Sequence, residues 1–143
     1  MPPSPIARLR KVCLALPDAH EVEAWGEPTF RVNNKLFAMF ARGGTHHAEV
    51  DSVWIKATAI NQGFIIASNP KRYFSPPYVG PSGWVGAKLE GRVSWTEIAD
   101  LLRDGYDLAL VKKKRVNAGK GMGKKERGQG QLKKRELGNR LRK

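Results

Sequence analysis

Apolar residues recur at helical spacing near the start of the chain, from Ile6 through Leu9, Val12 and Cys13 to Leu16. Arg8, Arg10 and Lys11 fall largely on the opposite side. This period predicts an amphipathic helix with a basic, solvated outer face. Pro5 suits its first turn, where no N–H is needed, and Pro17 ends it. From His20 the period changes. His20–Trp25, Thr29–Val32 and Lys35–Ala41 read as three short strands, separated by Gly26-Glu27-Pro28 and by Asn33-Asn34. The two asparagines tolerate positive φ and suit a two-residue hairpin turn. Arg42–Glu49 reads as a loop, Ser52–Lys56 as a fourth strand and Trp84–Leu89 as a fifth. Ala57–Ala67 stays ambiguous. Ile60, Phe64 and Ala67 fit a helix, but Gly63 weakens one by about 1 kcal/mol relative to Ala. Asn69–Gly83 holds four prolines and reads as a loop.

A second clear helix is expected from Ser94. Its hydroxyl is a good N-cap, and Glu97 three residues later completes a capping box. Trp95, Ile98, Leu101, Leu102, Tyr106, Leu108 and Ala109 form the buried stripe, with Gly105 a soft spot within it. No internal repeat is present. The order of helix, antiparallel strands and helix predicts an α+β domain, its N- and C-terminal helices packed on one face of the sheet. Phe30, Phe37 and Phe40 are expected in the core.

Charge divides the chain in two. Fourteen of the 26 lysines and arginines lie between Lys112 and Lys143, opposed there only by Glu126 and Glu136, so this stretch carries +12. Met1 to Val111 carries 12 basic and 11 acidic side chains, a net of +1. All Trp, Phe and Tyr precede Asp107, and the stretch from Lys112 onward holds six glycines. The expected organisation is a domain over 1–111 and a basic Gly/Lys/Arg-rich tail over 112–143, disordered or partly helical when free. A cationic asymmetry of this size points to a polyanion, nucleic acid foremost. Cys13 is the single cysteine, so no intramolecular disulfide can form, which suits a reducing cytosol. No apolar run has the length of a signal-peptide core, and none approaches the ~20 residues of a membrane span. A cytoplasmic protein is the expectation.

Three stretches carry a resemblance. They are Gly26–Val32 with Lys35–Ala38, then Phe74–Gly80 with Gly83–Val85, then Ser94-Trp95 through Gly105–Leu108. In this order they resemble the MmcQ/YjbR family of small bacterial proteins, over roughly residues 5 to 111. The resemblance implies a fold similar to the frataxin-like CyaY arrangement, and the DNA-binding label that members commonly carry from a double-wing structural argument. It implies no catalytic motif, and the basic tail is not part of the family pattern. Frataxin-type iron binding uses an acidic first helix. Here that helix carries Arg8, Arg10 and Lys11 and no acid before Asp18, which argues against it.

No feature of the sequence favours an enzyme. There is no Gly-x-Ser-x-Gly, and Cys13 sits on the apolar side of its helix, where a thiol is inert. Gly119–Lys125 lacks the spacing and terminal Ser or Thr of a phosphate loop. His46 and His47 with Glu49 and Asp51 are a poor metal set without cysteine partners, so neither metal nor cofactor is expected.

The candidate nucleic-acid contacts are the tail cations Lys112, Lys113, Lys114, Arg115, Lys120, Lys124, Lys125, Arg127, Lys133, Lys134, Arg135, Arg140, Arg142 and Lys143. On the body they are Arg31 and Lys35 beside the Asn-Asn turn, a wing-like hairpin tip, and Lys71 and Arg72. Tyr78 and Trp84, beside the Pro-rich loop, are candidates to line a groove on which bases stack, or to cover one end of the sheet. The functional expectation is a non-enzymatic nucleic-acid binder, DNA ahead of RNA, weakly sequence-specific. The sequence is compatible with a monomer and offers no aromatic anchor for membranes in the tail. The alternative is a small-molecule or protein-binding domain using the Tyr78/Trp84 groove, with the tail a solubilising or tethering extension.

Overall fold

A computed structural model of the chain describes residues 3–44 and 49–111. The fourteen tail cations, His46 and His47 lie outside the described residues. Helix α1 runs Pro5–Leu14, opened by Ser4, whose hydroxyl accepts from the Ala7 N–H. Strands β1 (His20–Ala24), β2 (Glu27–Val32), β3 (Lys35–Ala41) and β4 (Ser52–Ile55) follow. Then come helix α2 (Ala59–Ser68), β5 (Tyr73–Phe74), a single 3-10 turn at Gly80–Ser82, β6 (Val85–Lys88) and helix α3 (Trp95–Leu110). The six strands form one antiparallel sheet in the order β1-β2-β3-β4-β6-β5. The architecture is the α+β class expected.

Two boundaries differ from the sequence reading. The first turn is Trp25-Gly26, both at positive φ, so β2 begins at Glu27 and takes Pro28 into the sheet opposite Glu23. The Pro-rich segment contains the short strand β5. The ambiguous stretch is helical. Ile60 and Phe64 are each 73% exposed, while Ile65 and Ile66 pack against the core.

The main core lies between the sheet and the helices. Leu9 and Cys13 of α1, Phe30 and Val32 of β2, and Phe37, Ala38 and Phe40 of β3 meet Ile98, Leu102, Tyr106 and Ala109 of α3. Two α3 residues approach the strands closely. Tyr106 meets Phe37 edge-on at 5.6 Å and donates from its hydroxyl to the Pro17 carbonyl at 2.7 Å. Gly105 lies so near that an added Cβ would stand 2.8 Å from the Lys56 carbonyl oxygen. The soft spot in the helix is thus a point of close approach between helix and sheet. Ser94 caps α3 through the Glu97 N–H, but the Glu97 carboxylate accepts from the Tyr73 hydroxyl, tying α3 to β5.

Candidate functional site

A second, smaller apolar cluster forms on the opposite face of the sheet, away from α1 and α3. Met39, Ala41, Trp54 and Trp84 are buried there, with Leu36, Phe74 and Val79 packed against them. A β-bulge adds Leu36 to it. In the β2–β3 pairing Phe30 faces Ala38 and Arg31 faces Leu36, which leaves Phe37 as an extra residue. Strict alternation would put Leu36 on the same side as Ala38 and Phe40. The extra residue restores the phase, so Phe37 and Ala38 both enter the main core while Leu36 and Met39 emerge together on the outer face. Trp54 pairs with Met39 across β3–β4, and its indole N–H donates to Ser52 Oγ at 3.1 Å.

Two exposed aromatics frame this surface. Trp25, in the β1–β2 turn, is 65% exposed, and Tyr78, after Pro76-Pro77, is 71% exposed. Both have left-handed backbone, with φ 56° at Trp25 and 69° at Tyr78. That region disfavours bulky side chains, and such residues cost of order 1–3 kcal/mol each. The Tyr78 loop is held by Val79 N–H donating to the Pro77 carbonyl at 2.7 Å and Gly80 N–H donating to the Pro76 carbonyl at 2.9 Å. Gln62 of α2 locks it further, its amide donating to the Gly80 carbonyl at 2.9 Å and the Trp84 carbonyl at 2.6 Å.

Between these groups lies a cavity of about 450 Å³, lined by Trp25, Leu36, Met39, Trp54, Tyr78, Val79 and Trp84. Its volume falls within the ~300–1,000 Å³ typical of small-ligand sites. Cations stand at its margin. Lys56 Nζ lies 6.0 Å from the Trp84 ring centroid. Arg31 adjoins Leu36 on the same face by register, its Nε donating to Thr29 Oγ1 at 3.4 Å.

The structure therefore brings Tyr78 and Trp84 into one cavity. It separates Arg31 from Lys35, because Lys35 pairs with Val32 and so belongs to the opposite face. Lys71 is exposed. Arg72 donates to the carbonyls of Lys88 at 2.5 Å, Glu90 at 3.0 Å and Arg92 at 2.8 Å, so its guanidinium organises the β6–α3 loop. On α1, Arg10 forms a bidentate pair with Glu21 at 2.9 and 3.0 Å, and Arg8 lies 5.2 Å from the Trp95 ring. Trp25, Leu36, Met39, Trp54 and Val79 escaped the sequence reading as cavity residues. Their one sequence signal was that Trp25, Trp54 and Trp84 do not fit the helical stripes, and the sheet pairing that gathers them has no composition signature. Cys13 is buried, which pushes its thiol pKa up and keeps it protonated.

With this geometry in place, comparison with known proteins fixes the lineage. Residues 14–108 match the YjbR family. The chain belongs to the YjbR family. Among solved structures it is similar to the Deinococcus radiodurans protein DR2400, assigned the family domain DUF419, with a TM-score of 0.64 and 20% identity, covering 82% of this chain and 88% of that one. It is also similar to a Pseudomonas syringae protein, with a TM-score of 0.58 and 18% identity, covering 72% of this chain and 97% of that one. At these identities the likeness establishes the fold. Among curated proteins none matches the chain. The YjbR match ends at residue 108, before the cationic segment begins. Among the described residues no helix is long and apolar enough to cross a membrane.

Proposed function

We propose that this YjbR-family protein is a non-enzymatic nucleic-acid binder, DNA ahead of RNA, whose affinity comes mainly from phosphate neutralisation by residues 112–143. The observation that carries this reading is the charge division: +12 from Lys112 to Lys143 against +1 from Met1 to Val111. Lysines and arginines that neutralise phosphates release condensed counterions, and that gain does not depend on base sequence. Weak sequence specificity follows, since phosphate contacts position a protein without reading bases. Arg31 and Lys56 extend the cationic character onto the open face of the sheet.

The test replaces the fourteen Lys and Arg of 112–143 with Gln in the full chain and compares gel shifts on duplex DNA at one salt concentration. The reading expects binding to be abolished. Unchanged binding would remove the tail from the account.

One observation favours a second reading. The 450 Å³ cavity is large, apolar and framed by aromatics, as expected of a domain that binds a small molecule or a protein segment. In that case the basic segment tethers or solubilises, and Trp fluorescence would show saturable, salt-insensitive quenching by a free metabolite.

A further inference from the structure

We infer that the outer-face cavity takes one unpaired base of a single nucleic-acid strand, an assignment that rests on the nucleic-acid reading above. Four aromatic residues line the cavity, with Trp54 and Trp84 buried at its wall and Trp25 and Tyr78 exposed. Every base has a π-face, so aromatic platforms accept bases with little regard to sequence. Trp25 and Tyr78 stand at the rim, largely exposed, on backbone that bulky residues disfavour. The Pro-Pro segment and the Gln62 amide fix the loop that carries Tyr78. A bulky residue kept in such a conformation at a cavity mouth is a feature of ligand clamps.

Charge selects among occupants of an aromatic cage. A quaternary ammonium or other cation is the usual guest of such a cage. Here Lys56 already lies over Trp84, and Arg31 flanks Leu36 on the same face. A second cation would be repelled, whereas a ring attached to a phosphate would bring a negative charge to the Lys56 side of the cavity. An aliphatic chain would use the apolar lining but neither the flat rings nor the cations. Bases of an intact duplex are stacked and paired, so their faces are not available to the cavity. An unpaired base offers a face, a short sugar and a phosphate together. Once residues 112–143 hold the strand, the cavity samples its bases at the effective concentration that covalent linkage provides.

The test measures fluorescence anisotropy of the full chain at one salt concentration. The probes are a single-stranded oligonucleotide, the same strand without bases, a hairpin duplex and a free nucleoside monophosphate. The proteins are wild type, Trp25→Ala/Tyr78→Ala and Tyr78→Phe. The double variant is expected to lose about tenfold or more in affinity for the single strand, the scale of base–aromatic stacking. Its affinity for the duplex and the baseless strand should stay unchanged, and Tyr78→Phe should retain single-strand binding. Equal single-strand affinity in wild type and double variant, with binding still salt-sensitive, would overturn the cavity assignment and leave the nucleic-acid reading standing. Failure of wild type to bind any polymer would overturn both. Free nucleotide binding as tightly as the strand would overturn the assignment in favour of a soluble ligand.

Discussion

Trp25 and Tyr78 show how single residues keep a local preference unsatisfied where the surrounding structure over-determines it. Each sits at positive φ, and each lines the same cavity. Gly105 poses the opposite case, a residue whose side chain must be absent. Helix propensity alone predicts that Gly105→Ala stabilises α3 by about 1 kcal/mol. Space predicts otherwise, since the new Cβ would stand 2.8 Å from the Lys56 carbonyl oxygen and 3.0 Å from Ile55 Cγ2. Backbone oxygen cannot rotate away, and overpacking costs about 1–3 kcal/mol, so the steric effect wins. Gly105→Ala should lower the urea midpoint; an increase would show that helix and sheet separate easily there. None of this is legible in the sequence, where Gly105 reads only as a weak point in a helical stripe. The Phe37 bulge is equally silent, because an inserted residue and ordinary alternation look alike in Lys35–Ala41.

At the scale of elements, the strong periods translate directly. The stripes of α1 and α3 bury as read except at Leu108, which is half-buried, because each helix faces one sheet and period and burial coincide. α2 is different. It packs through Ile65 and Ile66 at the end of the sheet, leaving Ile60 and Phe64 exposed. Ile60→Ser/Phe64→Ser should therefore change stability by no more than about 0.5 kcal/mol, as for surface positions generally. A large fall in thermal midpoint would mean these side chains are covered. α3 carries a like-charge cluster at Asp100, Asp104 and Asp107, relieved in part by Arg103, which pairs with Asp107 at 3.4 Å. Partial burial first, then Asp107 and Asp100, raises the Asp104 pKa. A raised folded-state pKa favours the protonated form, so the contribution is present below the unfolded value and is lost as pH rises. Asp104→Asn should thus stabilise at pH 7 by a few tenths of a kcal/mol, the scale of like-charge pairs on a helix. The gain should vanish near pH 3. A gain that persists at pH 3 would point to a cause other than ionisation.

Over the whole molecule, lineage and candidate site were legible to different depths. Lineage was readable because Gly26–Val32, Phe74–Val85 and Ser94–Leu108 keep their order along the chain, and the YjbR match covers them. Tyr78 and Trp84 were readable as a pair because one lies in the Pro-rich segment and the other directly follows it. The rest of their cavity was not, since Trp25, Leu36, Met39 and Trp54 converge only through sheet pairing, which no local pattern encodes. Charge needs no fold to be read, and the +12 of residues 112–143 is the feature on which the proposed nucleic-acid binding rests. The most direct measurement is therefore the salt dependence of the full chain's affinity for duplex DNA. If six to ten cations engage phosphates, affinity should fall about 10³- to 10⁵-fold between 50 and 200 mM salt, linearly in log–log form. An affinity that stays constant across that range would contradict the account.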